Sequence, residues 1–129
     1  MTATPTEGET RTFSRTFTAA DVASFADLSG DRGSHHVEEE EPMVHGLLTA
    51  TLPTKIGGDM DFVARTMSFE FRRPVYVGEE ITCETTVESV TTRPERHEMV
   101  VSFSCTNESD AVVLAGDIDG VIFRESADD

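Results

Sequence analysis

The sequence predicts an α+β domain in which one antiparallel sheet curls around a single apolar helix. Three observations lead there. The second half of the chain alternates apolar and polar residues, the period of half-buried strands. Leu48, Leu52 and Ile56 recur every four residues, the period of a helix packed on one face. No other segment has the length and greasiness to cover a sheet with one apolar face, and such a face must be covered.

The elements follow in order. At 129 residues the chain is long enough for one domain with a core, here placed over residues 11–124. Residues 1–10 are polar, with neither a cationic start nor an apolar run, and read as a flexible lead-in rather than a secretory signal. Arg11 to Phe17 alternates as a short strand. Thr18 is then an N-cap and Asp21 the acid of a capping box. Val22, Phe25, Ala26 and Leu28 follow at helical spacing, and Gly30 stops that helix. Asp31 to Glu41 lacks apolar periodicity and reads as loop, its Glu38–Glu41 run a solvated edge. Pro42 forces an extended approach to a second helix that starts near Gly46, and Gly57-Gly58 closes it. Pro53 inside this helix removes one hydrogen bond and should kink it at a cost of about 3 kcal/mol.

The rest reads as strands. Met67, Phe69 and Phe71 mark the first, Ile81, Cys83, Thr85 and Val87 the second, and Met99, Val101, Phe103 and Cys105 the third. A last strand from Ala111 to Arg124 is expected to bulge near Gly116 and Gly120, where alternation slips. Turns at Arg93–Glu95 and Asn107–Asp110 join these strands into a meander. Residues 125–129 should fray.

The net charge is −15, from 25 acids and 10 bases, and Lys55 is the only lysine. That balance argues against nucleic acid and against an anionic membrane surface as partners. No run approaches the roughly 18 to 20 apolar residues of a membrane span. A dense carboxylate surface with arginine in place of lysine reads as a halophilic, archaeal cytoplasm, where salt screens self-repulsion. Cys83 and Cys105 fit no zinc motif. A turn near Pro94 would set them opposite each other on neighbouring strands, where a cross-strand disulfide is one reading and buried thiols of a reducing cytoplasm the favoured one.

Asp31 and His36 are the candidates for chemistry. On a helix, residues five apart diverge by about 140°, so this pair converges only across a loop. Gly30 and Gly33 give that loop freedom. Taken alone, Asp31 reads more readily as a turn residue and His36 as incidental. Val44-His45-Gly46 changes the balance. Gly46 begins a helix, so its N–H is an unpaired donor that favours negative charge. With no side chain, it lets a substrate oxygen come close, the layout of an oxyanion hole. His45 itself reads as a core side chain held by hydrogen bonds.

Asp31-x4-His36 followed by Pro42-Met43-Val44-His45-Gly46-Leu47 resembles the (R)-specific enoyl-CoA hydratases of the MaoC-like dehydratase family. The similarity continues through Thr49–Leu52, Ser68–Val75 and Val77–Glu80. The resemblance implies the hot-dog fold and the reversible syn hydration of a trans-2-enoyl-CoA to an (R)-3-hydroxyacyl-CoA. It implies that Asp31 and His36 share one water and that the Gly46 N–H holds the enolate-like oxygen. Thr54 falls where the family has an active-site serine, and with His45 it would support the site. Arg72, Arg73 and Lys55 are the bases expected near the CoA phosphates, with pairing to neighbouring acids as the other reading of the two arginines. No metal or redox cofactor is implied, because coenzyme A belongs to the substrate. The family's usual assembly is a dimer with two sheets joined edge to edge. The chain departs from the family at Gly33-Ser34, which stands in place of Asn-Pro, in the short link from His36 to Pro42, and at Pro53. Two other readings stay open, a hot-dog acyl-CoA thioesterase and a non-catalytic acyl-CoA-binding subunit.

Overall fold

The computed structural model describes residues 4–124. Strand β1 (Thr10–Thr16) leads into helix α1 (Ala19–Ser29) through the expected capping box. Thr18 Oγ1 accepts from the Asp21 amide at 3.1 Å, and the Asp21 carboxylate accepts from the Thr18 amide at 2.9 Å. Gly30 ends the helix at φ 78°, a left-handed conformation that glycine takes without steric cost. Val22 and Ala26 are buried, but Leu28, grouped with them on helical spacing, is exposed.

The segment read as loop from Asp31 to Glu41 contains one helical turn, α2 (Ser34–Val37). The second long helix starts at Gly46 as expected but comes in two pieces, α3 (Gly46–Thr49) and α4 (Thr51–Asp59). Pro53 accounts for the break. It has no N–H for the Thr49 carbonyl four residues back, and its ring crowds that carbonyl. Side chains satisfy neighbouring carbonyls instead. Thr51 Oγ1 donates to the Leu48 carbonyl at 2.6 Å, and Thr49 Oγ1 reaches the His45 carbonyl at 3.4 Å. Gly57 and Gly58 do not close the helix, which runs through them to Asp59.

Strands β2 (Val63–Phe71), β3 (Glu80–Thr92), β4 (Arg96–Thr106) and β5 (Val112–Phe123) complete one antiparallel sheet in the order β1-β3-β4-β5-β2. The expected meander holds for β3 to β5. β2 leaves it and pairs with β5 at the far edge. The link from β2 to β3 is drawn away by the chain ahead of α3: Val44 N–H donates to the Val75 carbonyl at 2.7 Å, and Val77 N–H to the Pro42 carbonyl at 3.1 Å. Residues 8 and 9, within the segment read as a lead-in, hydrogen-bond to Val87 of β3. Residues 125–129, expected to fray, lie outside the described residues.

Cys83 and Cys105 pair directly across β3 and β4 as buried free thiols. The hydrogen bond between them, with burial, pushes the Cys83 thiol well up from its ordinary range. Gly116 and Gly120 are not bulges. They hold regular register with β4; the extra residue of β5 is Val113, skipped between the Cys105–Leu114 and Thr106–Val112 pairs, and on β2 Arg65 is inserted between Ala64 and Thr66. The glycines are there for close approach: a Cβ at Gly116 would lie 1.8 Å from the Ser68 carbonyl oxygen. Leu52 and Ile56 of α4 pack into one core with Ile81, Met99, Val101, Phe103 and Ile118 of the sheet. This is the hot-dog arrangement, a sheet wrapped around a helix. None of the described helices is long and apolar enough to cross a membrane.

Candidate active site

The turn after α1 sets Asp31. Its amide donates to Ser29 Oγ at 3.1 Å, and its Oδ1 accepts from the Gly33 amide at 3.2 Å. With Oδ1 held, Oδ2 faces His36 Nε2 at 3.7 Å. The single turn of α2 carries His36 into the interior, where it is 6% exposed. Its Nδ1–H donates to the Met43 carbonyl at 2.7 Å, a bond that leaves Nε2 as the lone pair turned toward Asp31. A Cβ at Gly33 would lie 2.7 Å from Cε1 of His35, an exposed ring that can turn aside.

Backbone bonds bring the start of α3 to the same place. Met43 N–H donates to the His35 carbonyl at 2.8 Å, beside the Val44 bond to Val75. The Gly46 N–H stands in the first turn and has no acceptor among the described residues. A Cβ at Gly46 would lie 2.7 Å from the Phe71 ring. Two hollows meet here. One of about 370 Å³ is lined by His36, Gly46, Thr49, Phe71 and Arg73. The other, of about 440 Å³, is lined by Phe25, Asp31, His45, Gly46 and Phe71. Gly46 and Phe71 belong to both. A third hollow beside them is rimmed by Glu39, Glu40 and Glu41.

One donor atom each from Asp31, His36 and His45 lies within 4.8 Å of the others. Those residue types are metal ligands, but the geometry does not suit a zinc-like ion. Such an ion needs lone pairs that converge at about 2.0–2.1 Å. The two imidazoles are instead stacked, 3.8 Å between centroids and 16° between planes, so their in-plane lone pairs do not aim at one point. Each ring also spends one nitrogen on a backbone carbonyl.

The structure therefore brings together Asp31, His36, His45 and Gly46. It does not bring Thr54 or Lys55 to them. The Thr54 hydroxyl donates to the Thr51 carbonyl at 2.9 Å and lines none of the three hollows. Lys55 pairs with Asp59 and lies 4.8 Å over the Phe13 ring of β1. Both sit beyond the break at Ala50. Arg72 and Arg73 line the His36 hollow, with Arg72 paired to Glu70. Sequence reasoning missed Thr49 and Phe71. Thr49 is buried one helical turn after Gly46, and that spacing is the signal that would have found it. Phe71 gives no such signal, because its place depends on β2 crossing to the far edge.

Comparison with known proteins gives this geometry a context. The thioesterase superfamily matches this chain over residues 43–113. An (R)-specific enoyl-CoA hydratase of Aeromonas caviae is 35% identical over 92 residues, which cover 62% of this chain and 69% of that protein. A mitochondrial 3-hydroxyacyl-[acyl-carrier-protein] dehydratase of Arabidopsis thaliana is 27% identical over 121 residues, covering 84% and 72%. The solved structure of the (R)-hydratase from A. caviae superposes with a TM-score of 0.81 at 27% identity, covering 90% of this chain and 96% of that one.

Proposed function

Because this chain belongs to the thioesterase superfamily and has hydratases and dehydratases among its relatives, we propose that it is an (R)-specific enoyl-CoA hydratase acting without a metal or redox cofactor. The observation that carries this reading is the 3.7 Å gap between His36 Nε2 and Asp31 Oδ2, beside a Gly46 N–H with no acceptor. The gap is too wide for a direct hydrogen bond and suits two groups that bond the same water.

In this reading the substrate's thioester oxygen accepts a hydrogen bond from the Gly46 N–H, which polarises the conjugated double bond toward its β-carbon. Asp31 and His36 hold the water against that carbon. The water oxygen bonds to the β-carbon as the Nε2 lone pair of His36 takes its proton. The π electrons move onto the α-carbon and thioester oxygen. A proton then reaches the α-carbon on the same face, with Asp31 sharing in the transfer, so one water is added and nothing is oxidised. Phe71 and Thr49 would shape the space around the thioester. Arg73, with Arg72 beside it, is the base we assign to the CoA phosphates, and Lys55 is assigned to the α4–β1 contact instead.

Two further features support the setting. β2 is an edge strand whose Val63 and Phe71 are about half exposed, which suits a homodimer joined edge to edge. The net charge of −15 opposes an anionic CoA ester, so binding should tighten as salt screens that repulsion. A titration of crotonyl-CoA turnover against potassium chloride checks this through KM. A halophilic cytoplasmic enzyme should gain affinity and stability together, and full activity in dilute buffer would contradict that assignment. The superfamily match also favours a second reading, thioester hydrolysis. Release of free CoA thiol from crotonyl-CoA, with no hydrated product, would select it.

The test of the first reading is loss of the enoyl absorbance when wild type meets crotonyl-CoA and longer homologues in high salt. Activity should fall by at least about 10² in Asp31→Asn and His36→Ala. No loss of absorbance at any chain length would end the hydratase reading.

A further inference from the structure

His45 lies outside the steps just described, yet it touches both residues of the pair. Its Nε2–H donates to the Asp31 main-chain carbonyl at 2.9 Å, and its ring stacks on His36 at 3.8 Å. It is 2% exposed, and Phe25 of α1 packs on it at 4.8 Å. We infer that His45 is a positioning residue, a buried brace that fixes Asp31 and His36 relative to each other; the catalytic part of this inference rests on the hydratase reading.

The hydrogen bonds around Asp31 carry the argument. Asp31 N–H reaches only Ser29, its Oδ1 accepts from Gly33, and Arg32 pairs with Asp27. Gly30 N–H bonds the Ala26 carbonyl, and the Gly33 carbonyl accepts from His36 and Val37. All of these stay within one local segment. Among the described residues, the His45 bond alone ties residues 30–33 to a distant part of the chain, fourteen residues on from Asp31. Asp31 itself is more than half exposed, so little packing holds it otherwise.

The second observation is a polar atom without a partner. The bond from Nε2–H fixes the tautomer and leaves a lone pair on Nδ1, which is buried and unpaired among the described residues. Burying an unsatisfied acceptor is unfavourable, and an aromatic hydrocarbon would fill this space without it. An imidazole here therefore makes sense through its one N–H and its flat face, the two features directed at Asp31 and His36. The ring reaches both because His45 immediately precedes α3, so the element that presents the Gly46 N–H also carries the brace.

Two substitutions separate the parts. His45→Phe keeps a ring and removes the N–H; His45→Gln keeps an N–H donor of similar reach and removes the ring. In crotonyl-CoA hydration, His45→Phe should lose at least about tenfold in kcat with KM changed less than about twofold. His45→Gln should recover kcat to within about threefold of wild type. A readout independent of turnover is amide hydrogen exchange. Protection of the Gly33 amide should fall by at least about tenfold in His45→Phe, while β3 and β4 amides keep theirs. Unchanged exchange at Gly33 would overturn the brace whether or not the protein hydrates anything. Unchanged exchange with an inactive wild type would sink both ideas, whereas lost protection with an inactive wild type would uphold the brace and sink the hydratase. If neither variant folds, ¹⁵N imidazole shifts of wild type still decide: His45 protonated at Nε2 supports the inference, and protonation at Nδ1 overturns it.

Discussion

The β3–β5 meander and the segment from Asp31 to Gly46 are held by opposite means. In the meander, His97, Met99, Val101, Phe103 and Cys105 of β4 are buried in strict alternation, and the backbone ladder on both sides repeats the same bond many times. In the segment, few side chains enter the core and single hydrogen bonds do the holding: His36 to the Met43 carbonyl, His45 to the Asp31 carbonyl, and Gly33 N–H to the Asp31 carboxylate. The contrast teaches where each property resides. Stability is spread over a redundant sheet, while the proposed chemistry rests on a short segment held by single bonds. Such segments sit at the low-stability end of a fold.

That contrast breaks if substitutions on the two sides fail to separate rate from stability. The largest effect belongs to the segment. Asp31→Asn and His36→Gln should each lower kcat by about 10² to 10⁴, and Asp31→Asn, at an exposed side chain, should leave the thermal midpoint nearly unmoved. Steady-state hydration kinetics beside a thermal melt would check both halves. On the sheet, Ile81→Ala removes a fully buried side chain and should cost about 2–5 kcal/mol of stability. A denaturant titration reads that loss, and the kcat of the folded fraction should stay at the wild-type value. The smallest effect sharpens the comparison within the central helix. Thr54→Ala and Lys55→Gln lie beyond the break at Ala50 and should each shift stability by no more than about 0.5 kcal/mol. Neither should raise KM for a CoA ester, and a large rise for Lys55→Gln would return that residue to the substrate.

The same two regions differ in how much the sequence revealed. Alternation placed β3, β4 and β5, and the Thr18–Asp21 box with Gly30 bounded α1, because those signals are local and the structure satisfies them locally. Alternation says that a strand exists but not which strand it pairs with, so the crossing of β2 to β5 was not legible. Gly116 and Gly120 looked like slips in a pattern, yet they answer the close approach of Ser68 and Val63 on that displaced strand. The turn of α2 was hidden because four residues cannot display a period. At the site, the Gly46 donor was legible from a glycine at a helix start. Spacing alone did not decide whether Asp31 and His36 converge, and the tie from His45 to the Asp31 carbonyl joins residues that no local pattern connects.

We propose that the segment from Asp31 to Gly46 adds water across an enoyl thioester from one face. The most direct measurement is the product of wild-type protein and crotonyl-CoA in deuterium oxide, resolved by chirality and by the position of the label. The expected product is (R)-3-hydroxybutyryl-CoA carrying one deuterium at the α-carbon, placed by syn addition. An (S) product, or free CoA thiol with crotonate, would contradict it.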